Sequence, residues 1–434
     1  NLLIIKQLIE QIEGEAFVSF DMKDDRVEFS TISFAHFRGM EMMLEGKNVL
    51  DALVITPRVC GICGHAHLMA TVRAIEDAYK NAGFKINLTD KIKKIRELTL
   101  IMEMIQNHFK WLYMVIIPEL SKIVDLSLVK EPLKGAFSAS IASKIIAIFG
   151  GQWPHSSYMV PAGITCDPTD IDIIQAQNYL DELISFFEKE SLGVSLENFL
   201  SFESCKNFND ISSDISNLEK ALISIDMHHK GFSHDRFLIM GEHSFTNVSK
   251  LKHTRTFKVD SKYIKTKEAY SPNEKTYALN ALYNDAYYET GSLARMMSNS
   301  IPMIKNMHRR YKDSAYSRVM ARVFELGYML NHAKKLINGI DIYEKSITKV
   351  ESIEKISAKG IGIVEAPRGP LIHKIELEMG IIKSYKIITP TQFNIGSSTP
   401  DKPTPVQLAM KGLTKEEALF VFRTFDVCSV CTTH

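Results

Sequence analysis

A mainly α fold with a minor β portion (α+β) is what this sequence of 434 residues predicts, on three observations. Apolar residues recur at helical spacing through much of residues 64–345. Near the N-terminus, residues 14–35 alternate apolar and polar. Residues 360–394 are rich in β-branched side chains and punctuated by Gly369, Gly380 and Pro390, which reads as strands and turns.

Taken in order, residues 14–35 form a hairpin turning at Lys23-Asp24-Asp25. After the first cysteine pair, AHLMATVRAIEDAYKNAG is helical and stops at Gly83. The pattern from Thr89 to about Ile117 is helical again, with Pro118 as its expected end. Residues 169–200 make another long helical run. So does most of 275–338, with breaks near Gly291 and Pro302. The polar, irregular stretch 205–270 carries no clear pattern. A last helix, about 404–424, leads to the terminal motif within 404–434. No internal repeat, low-complexity tract or flexible linker divides the chain. Two cysteine pairs at opposite ends that need each other argue for one unit, 1–434.

The composition, 45% hydrophobic and 24% charged, is ordinary for a soluble globular protein. Basic minus acidic residues, 52 − 51, leave +1, without the basic excess of a nucleic-acid footprint. No stretch reaches the roughly 18 consecutive apolar residues of a membrane span; WLYMVII (111–117) and IIAIFGG (145–151) are too short. The first residues lack the basic start and cleavage site of a secretory signal, and also a starting methionine. A cytoplasmic location is expected, or a peripheral one at the membrane through partner subunits.

Six cysteines are too sparse for a disulfide scaffold. Cys166 and Cys205 stand alone and read as small buried hydrophobes. The other four form two CxxC pairs, Cys60/Cys63 and Cys428/Cys431. Thiolates at i and i+3 can reach one soft or borderline ion. The helix start after CGIC lowers thiol pKa, which favours the thiolate. A separation of 428 − 63 = 365 residues is unlike compact zinc modules. The pairs alone leave three readings: structural zinc, redox disulfides, or a catalytic or electron-transfer metal centre between the chain's ends. His67, four residues past Cys63, is a further ligand candidate.

The flanking residues sharpen this. RVCGICGHAH (58–67) has the form R-x-C-G-x-C-x-x-x-H, and residues 426–434 the form D-x-C-x-x-C-x-x-H. Together they resemble the two signature motifs of the [NiFe]-hydrogenase large (catalytic) subunit. IEGE (12–15), FRGMEMMLEG (37–46), GGQWPH (150–155), SLAR (292–295), EAPRG (365–369) and TPTQFN (389–394) are similar to the family's internal blocks, in the family's order.

The resemblance implies the large-subunit fold, a helical-bundle core with small peripheral sheets. It implies nickel held by Cys60, Cys63, Cys428 and Cys431, the second and fourth of these bridging to an iron that bears CO and two cyanides. The reaction implied is reversible heterolytic cleavage of dihydrogen into protons and electrons. By motif position Cys428 would accept the proton and Glu13 pass it on. Arg368 would lie over the open metal position, held by Asp426, with Glu119 at a further carboxylate position. Thr391 would hydrogen-bond a cyanide beside Pro390, and His67 a cysteine sulfur. Glu41, His434 and the carbonyl of Ile387 match a magnesium site. Departures are Val427 where proline is common, Phe393 where tryptophan is common, and Glu119 for aspartate.

With no further cysteine cluster to hold iron–sulfur centres, an iron–sulfur small subunit is the expected partner in a heterodimer. Nickel-insertion factors and a maturation protease that cuts after His434 are also implied. Nucleic acid and an intrinsic membrane span are not expected. A hydrogen-sensing protein of low turnover would keep the same ligands. A structural zinc protein is the remote alternative, and the quinone-site subunit of respiratory complex I is set aside because it lacks the cysteine pairs.

Overall fold

The computed structural model describes residues 3–10, 15–126, 132–241, 249–252, 255–257 and 259–434. Helices dominate, and three three-stranded antiparallel sheets lie among them. At the centre is helix Gly64–Asn81, which begins directly after the first cysteine pair and buries nearly every side chain. Its neighbour is the meander Lys359–Ala366, Gly369–Glu378 and Ile381–Ile388. Helix and strand touch backbone to backbone. A Cβ at Gly362 would lie 1.9 Å from Ala70 O, and one at Gly360 2.1 Å from Ala74 O. Only glycine permits that approach.

Helix Asp90–Lys110, capped by the Thr89 hydroxyl on Ile92 N, packs between Pro132–Gly150 and Ala315–Asn338. The Pro132–Gly150 helix in turn packs on Asp170–Phe186. One window of it, Leu133–Gly150, is long and apolar enough by composition to cross a membrane, yet half of it is buried inside the protein. Lys134 and Lys144 interrupt the apolar run, which is why the sequence shows no continuous span.

The N-terminal hairpin is present, Ala16–Lys23 pairing with Arg26–Ser33 around Asp24 and Asp25, both at positive φ. A third strand, Leu3–Glu10, extends it. Elsewhere the structure corrects the sequence reading. Pro118 does not end its helix: Trp111–Ile116 widens into a π-helix, Ile117 N bonding Leu112 O, and the loosened turn admits proline into Ile117–Leu120. The run 169–200 also widens, at Phe187–Leu192, and breaks at Gly193 (φ 73) before Leu196–Leu200. Residues 275–290 are not helical; Leu279–Tyr283 pairs with Ile264–Glu268, and Asn284 and Asp285 turn at positive φ. The helical body is therefore interrupted by strands, first by the short pair Met159–Val160 and Gly163–Ile164 and again from Arg236–Ile239 onward. TPTQFN closes the strand-rich segment as a short helix, Pro390–Asn394. The last helix is two, Pro405–Met410 and Lys415–Thr424, parted at Gly412 (φ 80).

Candidate metal centre

Cys60 leaves the short helical turn Thr56–Val59 in extended conformation, and Cys63 is the N-cap of Gly64–Asn81. That geometry points the N–H groups of Ile62 and Cys63 at Cys60 Sγ, at 3.4 and 3.2 Å. Cys428 heads the short helix Ser429–Thr432 and brings its sulfur within 3.7 Å of Cys60 Sγ. The sulfurs of Cys60, Cys63 and Cys428 all lie within 4.8 Å of one another and are buried. Chain ends 365 residues apart thus meet at one point, as the spacing argument required. Cys431 lies one helical turn past Cys428; its side chain is outside the described set. Cys60 and Cys63 are joined as a disulfide rather than standing as separate thiolates. The i, i+3 spacing allows either pairing or, once reduced, shared ligation.

Arg38 ties the two motifs together. Its side chain donates to the carbonyls of Arg58 and Val59, just before Cys60, and its backbone N–H donates to Thr433 O.

Beside the sulfurs is a small pocket, lined by Cys63, His67, Arg368, Pro390, Thr391 and Cys428 among others. Arg368 reaches it from the turn after Lys359–Ala366. Its Nε donates to Asp426 O at 3.0 Å, and Nη2 lies 3.3 Å from Asp426 Oδ1. Asp426 also meets Arg322 Nη2 at 2.7 Å. Burial opposes its charge, but Arg322 and Arg368 outweigh that and hold its carboxyl below the ordinary carboxylate range. Thr391 Oγ1 accepts from Cys428 N at 3.3 Å, fixing the start of the terminal motif.

His67 is fully buried, and burial pushes its pKa down to about 3, aided by the charges of His434 and Arg38. Its Nδ1 is 3.1 Å from His373 Nε2, and its Nε2 has no hydrogen-bond partner among the described residues. The expected bond to a cysteine sulfur is not formed. An orphaned imidazole nitrogen and clustered soft thiols, all on one pocket, suit a thiolate-bound nickel–iron group.

Glu41, Ile387 and His434 also come together. His434 Nε2 is 3.2 Å from Glu41 Oε1, and Ile387 contributes its N–H, 2.6 Å from the same oxygen. The sequence reading placed the Ile387 carbonyl there; the strand presents the amide to Glu41. Lys386 Nζ lies 3.5 Å from Glu41 Oε2. Residues 432–434 are buried.

One further expectation is not met. Glu119 is paired with the exposed Lys122 at 2.9 Å, and Arg322 takes the position of second partner to Asp426. The helix that carries Glu119 continues past Pro118, which turns that carboxylate towards Lys122. Glu13 lies outside the described residues.

Sequence reasoning missed Glu103, whose carboxylate accepts from His65 N, Ala66 N and Trp153 Nε1 at 2.9, 3.1 and 3.1 Å. Burial pushes its pKa up to about 7 against those donors. It also missed Arg322 and Glu325. Their signal was there: Arg322 and Glu325 are the only charges in the apolar run 319–330, and with Arg318 they fall at i, i+4 and i+7 on one face.

With this geometry in view, the chain gathers on one pocket a buried cluster of cysteine sulfurs of the kind that can hold a metal ion. The sequence matches the profile of the family described as nickel-dependent hydrogenase over residues 38–117 and 119–434, and the chain belongs to that family, whose members are oxidoreductases acting on dihydrogen. It is 24% identical to sulfhydrogenase 2 subunit alpha of Pyrococcus furiosus, covering 98% of this chain and 97% of that protein. It is 22% identical to the periplasmic [NiFeSe] hydrogenase large subunit of Desulfomicrobium baculatum, over 98% and 93%. The fold is similar to a solved [NiFeSe]-hydrogenase of Dm. baculatum, with a TM-score of 0.85, 19% identity and full coverage of both chains.

Proposed function

We propose that the chain is the catalytic subunit of a [NiFe]-hydrogenase that cleaves dihydrogen reversibly and heterolytically, passing the electrons to an iron–sulfur small subunit. The gathering of Cys60, Cys63 and Cys428 at one buried point carries this reading. Reduced, these sulfurs and Cys431 would hold nickel, with Cys63 and Cys431 shared with an iron bearing CO and two cyanides. That group, when bound, supplies the polarisation of dihydrogen and the sink for its electron pair. The chain's own residues handle the rest. The Cys428 thiolate accepts the proton, and Glu13 receives it from there. Arg368, held by Asp426 through backbone and carboxylate, directs guanidinium N–H groups over the pocket. Pro390 and the Thr391 hydroxyl shape its wall. Glu41 and His434 would hold magnesium, with Lys386 lying 3.5 Å from Glu41 in the metal-free protein.

Only Cys166 and Cys205 remain outside the motifs, too few for a four-cysteine iron–sulfur cluster. The electron relay therefore belongs to a partner. The segment leading to Cys60 exposes Phe37, Met42, Met43, Leu50 and Val54, an apolar edge suited to such a subunit.

Infrared spectroscopy of the purified complex tests this reading. Bands between the amide and C–H regions, with nickel and iron by elemental analysis, are expected. Zinc without those bands would overturn it. Dihydrogen-dependent reduction of an artificial acceptor separates an enzyme from a sensor.

A further inference from the structure

Arg368 is held at both ends of its own segment by one continuous buried network. On the guanidinium side, Asp426 is its partner, and Asp426 in turn meets Arg322. Arg322 Nε donates to His108 Nδ1 at 3.2 Å. A guanidinium only donates, so Nδ1 must accept, and His108 is neutral with its proton on Nε2. That nitrogen lies 2.7 Å from Glu325 Oε2 and donates to it. Glu325 faces Arg295, whose Nη2 is 3.0 Å from the same oxygen.

Arg295 then closes the network on the chain just before Arg368. Its Nη1 donates to Glu365 Oε2 at 2.9 Å and to Ala366 O at 3.0 Å, and its Nη2 to Pro367 O at 2.9 Å. One guanidinium grips three successive residues, and the fourth is Arg368.

We propose that Arg295 and His108 are positioning residues for Arg368. Arg295 fixes the backbone from which that side chain projects, and His108 couples this clamp, through Arg322 and Asp426, to the guanidinium itself. The proposal rests on the reading that Arg368 acts over a nickel–iron group. Stability alone is a poor account of the network, because buried ion pairs are often replaced by apolar residues without loss. Arg322 and Glu325 come from helix Ala315–Asn338, His108 and Arg295 from two others, and both ends of the network return to the Arg368 segment. His108 is the one neutral link, and it joins the two charged halves by accepting on one nitrogen and donating on the other.

The test uses the loaded large–small complex and three variants. His108→Gln keeps one acceptor and one donor at similar spacing and should resemble the wild type. His108→Leu removes both. It should keep nickel content, shift the infrared bands of the metal centre and lower kcat about tenfold, the worth of one charge-assisted hydrogen bond, with KM for dihydrogen little changed. Glu325→Gln places an amide N–H against either His108 or Arg295 and should shift the same bands, even if His108→Leu does not fold. Glu76→Gln is the control, since Glu76 pairs with Arg96 in an equally buried ion pair away from Arg368. It should change melting temperature and leave the bands alone. Unmoved bands and kcat in folded His108→Leu and Glu325→Gln proteins would overturn the proposal. So would equal band shifts in the Glu76→Gln control. A wild-type complex with no such bands would instead overturn the functional reading.

Discussion

Arg368 shows how much a single side chain depends on its hold. A lysine at that position keeps the charge but cannot bridge Asp426 O and its carboxylate together. Arg368→Lys is expected to retain nickel and lose about 10- to 100-fold in kcat, the worth of charge-assisted hydrogen bonds, measured by steady-state turnover. Glu103→Gln sets an amide N–H against donors that the carboxylate now accepts from. It should cost about 1–3 kcal/mol, seen in chemical denaturation. That the cysteines, Arg368, Asp426 and Thr391 belong together was legible because motif position survives in one dimension. The places of Glu103, His108 and Arg322 were not, because each depends on a partner brought from another element. An unexplained charge in an apolar helix was the signal left unread.

Among elements, the contact between helix Gly64–Asn81 and strand Lys359–Ala366 sets the distance between Cys63 and Arg368. Gly362 and Gly360 alternate on the strand face that meets the helix backbone. Gly362→Ala must push strand and helix apart, at a cost of about 1–3 kcal/mol or more. Melting temperature and nickel content should fall together, whereas alanine at the open Gly61, with no atom in reach of its Cβ, should leave the packing unchanged. Hairpin, central helix and meander were all readable from periodicity and turn residues. Pro118 misled because a π-turn absorbed it. Residues 279–283 misled because a short strand with an apolar run looks like a buried helix until its partner is known.

For the whole molecule, buried titratable groups set the response to pH. Burial lowers the pKa of His65 to about 4, and burial with the neighbouring Arg322 lowers that of His108 to about 4. Both lie below the unfolded value, so the unfolded chain binds more protons on acidification. Their contribution is present above about pH 6.5 and lost as pH falls, roughly 3 kcal/mol each by pH 4. Glu103 and Glu289, pushed up by burial to about 7, act in the other sense. Their contribution is full below about pH 4.5 and lost as pH rises through about 7. Thermal unfolding of the metal-free protein should therefore show a maximum at about pH 5.5, where the two opposing pairs balance, with Glu289→Gln flattening the alkaline side. The apolar edge before Cys60 has a practical meaning for the bench. Met42, 68% exposed, and Phe37, 52% exposed, stand bare when the chain is produced by itself. Such a preparation should self-associate as it is concentrated, visible in light scattering, and Met42→Glu should raise its solubility before any partner is found.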